Sequence, residues 1–297
     1  MRGKGRFRFV PEAKSTSPCP VFSPLFVPST PAKPKPASRR EINTSIEELL
    51  EQRRSDNPAD YSARELELLA QYSGWGGVKD APGHAGAGLL FEYYTPDALV
   101  RRMWDLAQAH HPEAIMSVLE PAVGTGHFLR YLPAECQHVT CYETSAVSAR
   151  ITRLLFGQGS YNLQVHQLSF ETHFFEAPLY QRRRKDVPAG FDLVIGNPPY
   201  GPYESFHKGL GEADTKAHAW DEYFLTRGLD VLKPGGLLVM VIGAAVGNGG
   251  TLFLDRPDSA VKQAIRAKAE LVDAYRNPIN IFPDTDVSTE IVVLRRR

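Results

Sequence analysis

Val118-Leu119-Glu120-Pro121-Ala122-Val123-Gly124-Thr125-Gly126-His127-Phe128 runs from an apolar strand through a glycine turn into a helix. Glycines at such a turn let the backbone approach a ligand closely, and the strand ends frame a crevice at the carboxyl edge of a parallel sheet. By itself the turn is compatible with a dinucleotide, with another ligand or with a mere change of direction. The third glycine of the dinucleotide fingerprint is missing, because Leu129 occupies its place.

Outward from this turn, apolar strands alternate with amphipathic helices. Strands are expected near 115–120, 138–143, 163–168, 191–196 and 236–242, and helices near 126–131, 145–155 and 217–232. Two closing strands, near Leu271–Arg276 and Thr289–Leu294, carry Val, Ile and Tyr at strand density. The pattern implies an α/β fold, a doubly wound, seven-stranded, mostly parallel sheet covered on both faces. Upstream lies a small helical appendage. There Thr44-Ser45-Ile46-Glu47 reads as a capping box opening a helix to about Arg54, and Ser62-Ala63-Arg64-Glu65 opens a second to about Tyr72, stopped by Gly74. Tyr93-Tyr94-Thr95-Pro96-Asp97 follows, with Thr95 placed to cap and Pro96 at the first position of a helix to about Ala109.

The 297 residues are 42% hydrophobic, enough for one large α/β domain and an appendage. No apolar run is long enough for a membrane span, and prolines interrupt the apolar stretch near Val21–Val27, so no secretory signal is expected and the expected location is cytoplasmic. Cys19, Cys136 and Cys141 offer neither a disulfide framework nor paired metal-site spacing, and no metal is expected. Net charge is zero but uneven: residues 1–40 hold nine Lys or Arg against Glu12 alone. This Pro-rich segment lacks periodicity and is read as a disordered basic arm, suited either to a phosphate backbone or to solvent.

Phe191-Asp192-Leu193-Val194-Ile195-Gly196-Asn197-Pro198-Pro199-Tyr200-Gly201 carries the chemistry. A buried strand ends abruptly in an amide, two prolines and an aromatic, which suits neither a continuing strand nor a helix. The Asn197 side-chain oxygen and the Pro198 carbonyl can together accept two N–H bonds from a planar amino group. Pro198 and Pro199 fix the direction of those acceptors, and Tyr200 offers a face for stacking. Glu143 closes the strand after the glycine turn and can bond both hydroxyls of a ribose.

Glu120 to Gly126 resembles motif I of amino-directed methyltransferases, and Asn197-Pro198-Pro199-Tyr200 resembles their motif IV. Tyr94-Thr95-Pro96 resembles motif X, so the order X, I, IV is that of gamma-class DNA adenine methyltransferases. Tyr72-Ser73-Gly74-Trp75-Gly76-Gly77 and the closing Pro278–Leu294, with Thr289-Glu290-Ile291, are similar to the methylase portion of helicase–methylase proteins of plasmids and phages. The resemblance covers about residues 60–297.

The resemblance implies a Rossmann-like class I methyltransferase fold with S-adenosylmethionine as cofactor. It implies that Glu120, Pro121, Gly124 and Gly126 line the donor's methionine portion with Tyr94 and Thr95 beside it, that Glu143 holds the ribose and that Phe170 packs on the donor's adenine. Asn197, Pro198, Pro199 and Tyr200 would hold the target. A side chain at Gly126 would enter the donor's space. Ser169 departs from the pattern, since many relatives have Asp there to bond the adenine amino group. Phe282 is either a second aromatic face for a flipped base or core packing. The implied reaction is methylation of adenine N6 in DNA; cytosine N4, an RNA base, a protein glutamine amide, or a silent anti-restriction subunit that binds donor and DNA are the alternatives. The expected layout is an arm at 1–40, a helical segment at 41–90 and a catalytic domain at 91–297. Restriction-type relatives carry a recognition domain after the catalytic one, so target reading is expected from the arm, from Gln181-Arg182-Arg183-Arg184-Lys185, from Gly247-Asn248-Gly249-Gly250, or from a separate recognition or helicase partner.

Overall fold

Each strand expected above is present in the computed structural model, which describes residues 37–74, 94–176, 178–183, 187–205, 217–243, 255, 258–278, 281–282 and 288–297. The strands are β1 (Ser117–Glu120), β2 (His138–Tyr142), β3 (Asn162–His166), β4 (Phe191–Gly196), β5 (Leu232–Gly243), β6 (Ala269–Arg276) and β7 (Thr289–Arg296). They form a seven-stranded sheet in the order β3-β2-β1-β4-β5-β7-β6. Pairings from β3 to β5 are parallel, whereas β7 runs antiparallel to both β5 and β6. The order reverses between β1 and β4, and a sheet of this kind opens its crevice at that point.

Successive residues of the central strands enter opposite cores, as a period of two demands. Val118, Leu193, Ile195, Val239 and Val241 pack on one face beneath α3 (Asp97–His110). Leu119, Val194, Leu238, Met240 and Ile242 pack on the other beneath α6 (Trp220–Asp230) and α7 (Ala260–Lys268). A single carboxylate sets the central register: Asp192 accepts the Met116 and Ser117 amides at 3.0 and 2.8 Å and the Ser117 hydroxyl at 2.9 Å, and pairs with Lys233 at 2.6 Å.

The helical appendage starts earlier than expected. Helix α1 spans Arg39–Arg53, and its capping box is Ser38 with Glu41 rather than Thr44 with Glu47. The basic arm therefore stops short of Arg39, and residues 1–36 lie outside the described residues. Helix α2 (Ala63–Leu69) has the expected Ser62–Glu65 box but ends sooner. Ile46, Leu50, Tyr61, Leu69 and Tyr72 pack on Ile151 and Leu154 of α4 (Ala146–Phe156). Arg150 of α4 clamps the connection, donating to the carbonyls of Leu50 at 2.7 Å and Ser55 at 2.9 Å and pairing with Asp56 at 2.8 Å.

Three further expectations are corrected. Pro96 is the N-cap of α3, not its first residue, and the terminus carries no side-chain cap bond among the described residues. The helix expected at 126–131 is a 3-10 turn, Phe128–Tyr131, because Gly126 holds positive φ and starts no α-helical turn. Helices α5 (Pro178–Arg183) and α7 were not foreseen.

Candidate active site

Glu120, the last residue of β1, is 1% exposed, and its Oε2 has no hydrogen-bond partner among the described residues. Burial, and then repulsion from Glu143, pushes its pKa well above the ordinary glutamate value. A buried carboxyl oxygen left unpaired is costly unless something is to bind there. Thr125 Oγ1, in the adjoining turn, is buried and unpartnered in the same way.

The turn takes up the left-handed backbone at two places, both of them glycine. Gly124 and Gly126 have φ of +54° and +81°. A Cβ on Gly124 would lie 3.0 Å from the Tyr94 ring, which is how Tyr94-Thr95-Pro96 comes to sit beside the turn. On Gly126 a Cβ would meet Phe156 of α4 at 2.6 Å, so the first obstacle at this position is Phe156 rather than ligand space. The Tyr94 hydroxyl bonds Ser148 at 3.0 Å, and the Thr95 carbonyl accepts from His127 Nδ1 at 3.0 Å. Burial lowers the pKa of His127, which favours the neutral ring. This link between the two segments was missed in the sequence, although His127 stands inside the quoted turn.

Glu143 follows β2. Its two oxygens accept the Gly124 amide at 2.8 Å and the Ser145 amide at 2.7 Å, so it braces the turn. A carboxylate offers about four acceptor sites, so this anchoring is compatible with a ribose contact as well.

Phe170 begins the 3-10 turn that follows β3. It is 2% exposed and packs among Tyr142, Phe174, Tyr223 and Phe224. Ser169 is the N-cap of the 3-10 turn Phe170–Phe174, so its hydroxyl is engaged with Glu171. Phe282 is core, 3% exposed in the cluster under α3.

At the end of β4, a Cβ on Gly196 would lie 3.7 Å from both Glu120 Cγ and Pro121 Cδ, so Asn197-Pro198-Pro199-Tyr200 emerges directly beside the end of β1. Pro198 is buried, while Asn197, Pro199 and Tyr200 are half-buried. The Tyr200 hydroxyl donates to Asn197 Oδ1, and burial followed by Asp221 raises its pKa. Gln181 and Arg182 are exposed on α5. The Arg183 side chain, Arg184, Lys185, the 247–250 loop and Trp75-Gly76-Gly77 lie outside the described residues.

Comparison with known proteins finds the same fold. A Listeria monocytogenes protein described as a class I S-adenosylmethionine-dependent methyltransferase superposes with a TM-score of 0.52 at 15% identity, over 81% of this chain and 70% of its own. The fold is that of a class I methyltransferase. Residues 138–252, from β2 past β5, match the Eco57I restriction-modification methylase family. A Vibrio vulnificus protein described as the modification subunit of a type I restriction enzyme gives a TM-score of 0.53 at 20% identity, over 88% of this chain and 51% of that one. Defense against restriction protein B of Escherichia phage P1 is 27% identical across 87% of this chain, which spans 10% of that relative's length. S-adenosylmethionine is the cofactor of this methyltransferase class. The unpartnered Glu120 oxygen and the glycine turn fit a ligand carrying an ammonium group.

Proposed function

We propose that the protein transfers a methyl group from S-adenosylmethionine to the exocyclic N6 of adenine in DNA. The observation that carries this reading is the emergence of Asn197-Pro198-Pro199-Tyr200 beside Glu120 and Pro121, 3.7 Å from where a Cβ on Gly196 would stand. Acceptors for an amino group thus adjoin the pocket for a methyl donor. In this reading Glu120 takes the donor's ammonium, Gly124 and Gly126 let the backbone close on it, Tyr94 and Thr95 flank it, and Glu143 bonds the ribose. When bound, the donor supplies an electrophilic methyl group on sulfur, whose S–C bond breaks as the N–C bond forms.

Asn197 Oδ1 and the Pro198 carbonyl orient the amino lone pair, and the nitrogen's surplus proton leaves to water after transfer. No strong base is needed, since the site's contribution is alignment. An adenine in duplex DNA would have to leave the stack, at a cost of a few kcal/mol, to lie on Tyr200. DNA is thus the proposed partner, with a separate recognition or helicase subunit supplying target choice. The type I modification subunit matched above supports such an arrangement by analogy.

The name of the phage P1 relative favours a second reading, a silent anti-restriction subunit that binds donor without turnover. Incubation with tritiated donor and separate DNA, RNA and protein acceptors tests both. Label in N6-methyladenine of DNA is expected. Label in cytosine N4, RNA or glutamine would move the substrate, and no label in any acceptor would favour the silent subunit.

A further inference from the structure

We propose that Glu171 is a positioning residue that ties the donor side of the cleft to the loop presenting Asn197–Tyr200, acting through the Tyr203 hydroxyl; this rests on the donor-and-acceptor reading above. Glu171 is 1% exposed. Its Oε2 accepts the Ser169 hydroxyl at 3.0 Å and its Oε1 the Tyr203 hydroxyl at 2.8 Å, so one carboxylate joins two segments remote in sequence. Ser169 and Phe170 belong to the segment after β3, on the donor's side. Tyr203 belongs to the loop that begins at Asn197.

The loop is fixed at its far end by other means. Its Tyr203 ring stacks on Tyr223 at 4.7 Å and 8° and meets Trp220 edge-on at 4.7 Å. The Tyr203 amide donates to the His218 carbonyl at 3.0 Å, and the Trp220 amide donates to the Gly201 carbonyl at 3.1 Å. Ring packing and backbone bonds therefore suffice to seat Tyr203, and a carboxylate brought fully out of water is a costly addition to them. What the carboxylate adds is a directed bond between the donor-side turn and the loop. Phe170 meets the Tyr223 ring of α6 edge-on at 6.4 Å, and Tyr203 stacks on that same ring, so the two segments also share a packing neighbour. A shift of the 3-10 turn when donor binds is thereby passed to Gly201–Tyr203 and to Tyr200 beside them.

The probe is S-adenosylhomocysteine, and the readout is amide hydrogen exchange over residues 197–203 with and without it. Wild type is expected to show slower exchange there when the probe is bound. Tyr203→Phe keeps the stacked ring and removes only the hydroxyl; it should bind the probe within about twofold of wild type, lose the added protection and turn over roughly tenfold more slowly. Glu171→Gln retains an oxygen for Tyr203 and a group for Ser169 and should keep the protection, whereas Glu171→Ala should abolish it. Protection that survives in Tyr203→Phe overturns the inference, as does probe binding to wild type without protection. Failure of wild type to bind the probe overturns this inference and the proposed function together, whereas binding with protection but no methyl transfer to any acceptor overturns the proposed function alone.

Discussion

At Asn197 the oxygen assigned to the target is already engaged by the Tyr200 hydroxyl. An incoming amino group must therefore share that oxygen with the hydroxyl through its second lone pair or displace it, and the two residues separate under mutation. Asn197→Ala should reduce single-turnover transfer by about 100 to 1,000-fold, the usual cost of one positioned acceptor, with S-adenosylhomocysteine affinity unchanged. Tyr200→Phe, which keeps the ring and removes the competitor, should lower the acceptor KM. An unchanged rate in Asn197→Ala would remove it from the site. Glu120 gives a pH dependence. Its folded pKa is raised by burial and then by Glu143, so in the ligand-free protein it adds stability at low pH that is lost as pH rises through the folded value. An ammonium group beside it favours the ionised form, so affinity for S-adenosylhomocysteine should strengthen with rising pH and binding should release a proton. Calorimetry in buffers of different ionisation enthalpy measures that proton, and Glu120→Gln should eliminate it. The residue types at the ends of β1 and β4 were legible because glycine, proline and buried acid have few other uses there. The place of Phe282 was not, since an aromatic in sequence looks the same whether it faces a ligand or a core.

At the scale of elements, strand positions followed from apolar runs, and β4 falls where the sequence put it, at 191–196. Helix starts were less legible. Both Ser38–Glu41 and Thr44–Glu47 have capping spacing, and Arg39 and Arg40 drew the first pair into the basic arm, although the fold uses Ser38. Nothing local marks Arg150 as the clamp between α4 and the α1–α2 connection, because its partners lie far away in sequence. Arg150→Ala should destabilise the protein by roughly 2–3 kcal/mol, more than an exposed ion pair contributes, and denaturant melts would register it. An unchanged midpoint would mean that apolar packing of Tyr61 and Leu69 on α4 suffices.

Across the whole molecule, Asp192 joins β1, β4 and the start of β5. Burial alone would raise its pKa, but Lys233 and the Ser117 bonds outweigh that and hold it below the ordinary aspartate value. A depressed carboxylate stabilises above its unfolded pKa, and that stability is lost as pH falls through the folded value. Acid unfolding of Asp192→Asn should therefore be less steep than that of wild type. The basic segment gives a second global expectation: deleting residues 1–36, which hold seven Lys or Arg and one Glu, should reduce DNA affinity and flatten its salt dependence while leaving target preference intact. The deletion stops at 36 because Ser38 caps α1.

The sheet order also bears on how the protein is made. Strand β7 comes last in sequence yet lies between β5 and β6. A chain emerging from the ribosome completes β5, α7 and β6 first, and these alone constitute a strand–helix–strand unit whose two strands are able to pair with each other. Such premature closure would shut out β7 and leave it as an open edge for other chains. The alternative pairing thus stays open until Thr289–Arg296 has been made and inserted between its two neighbours.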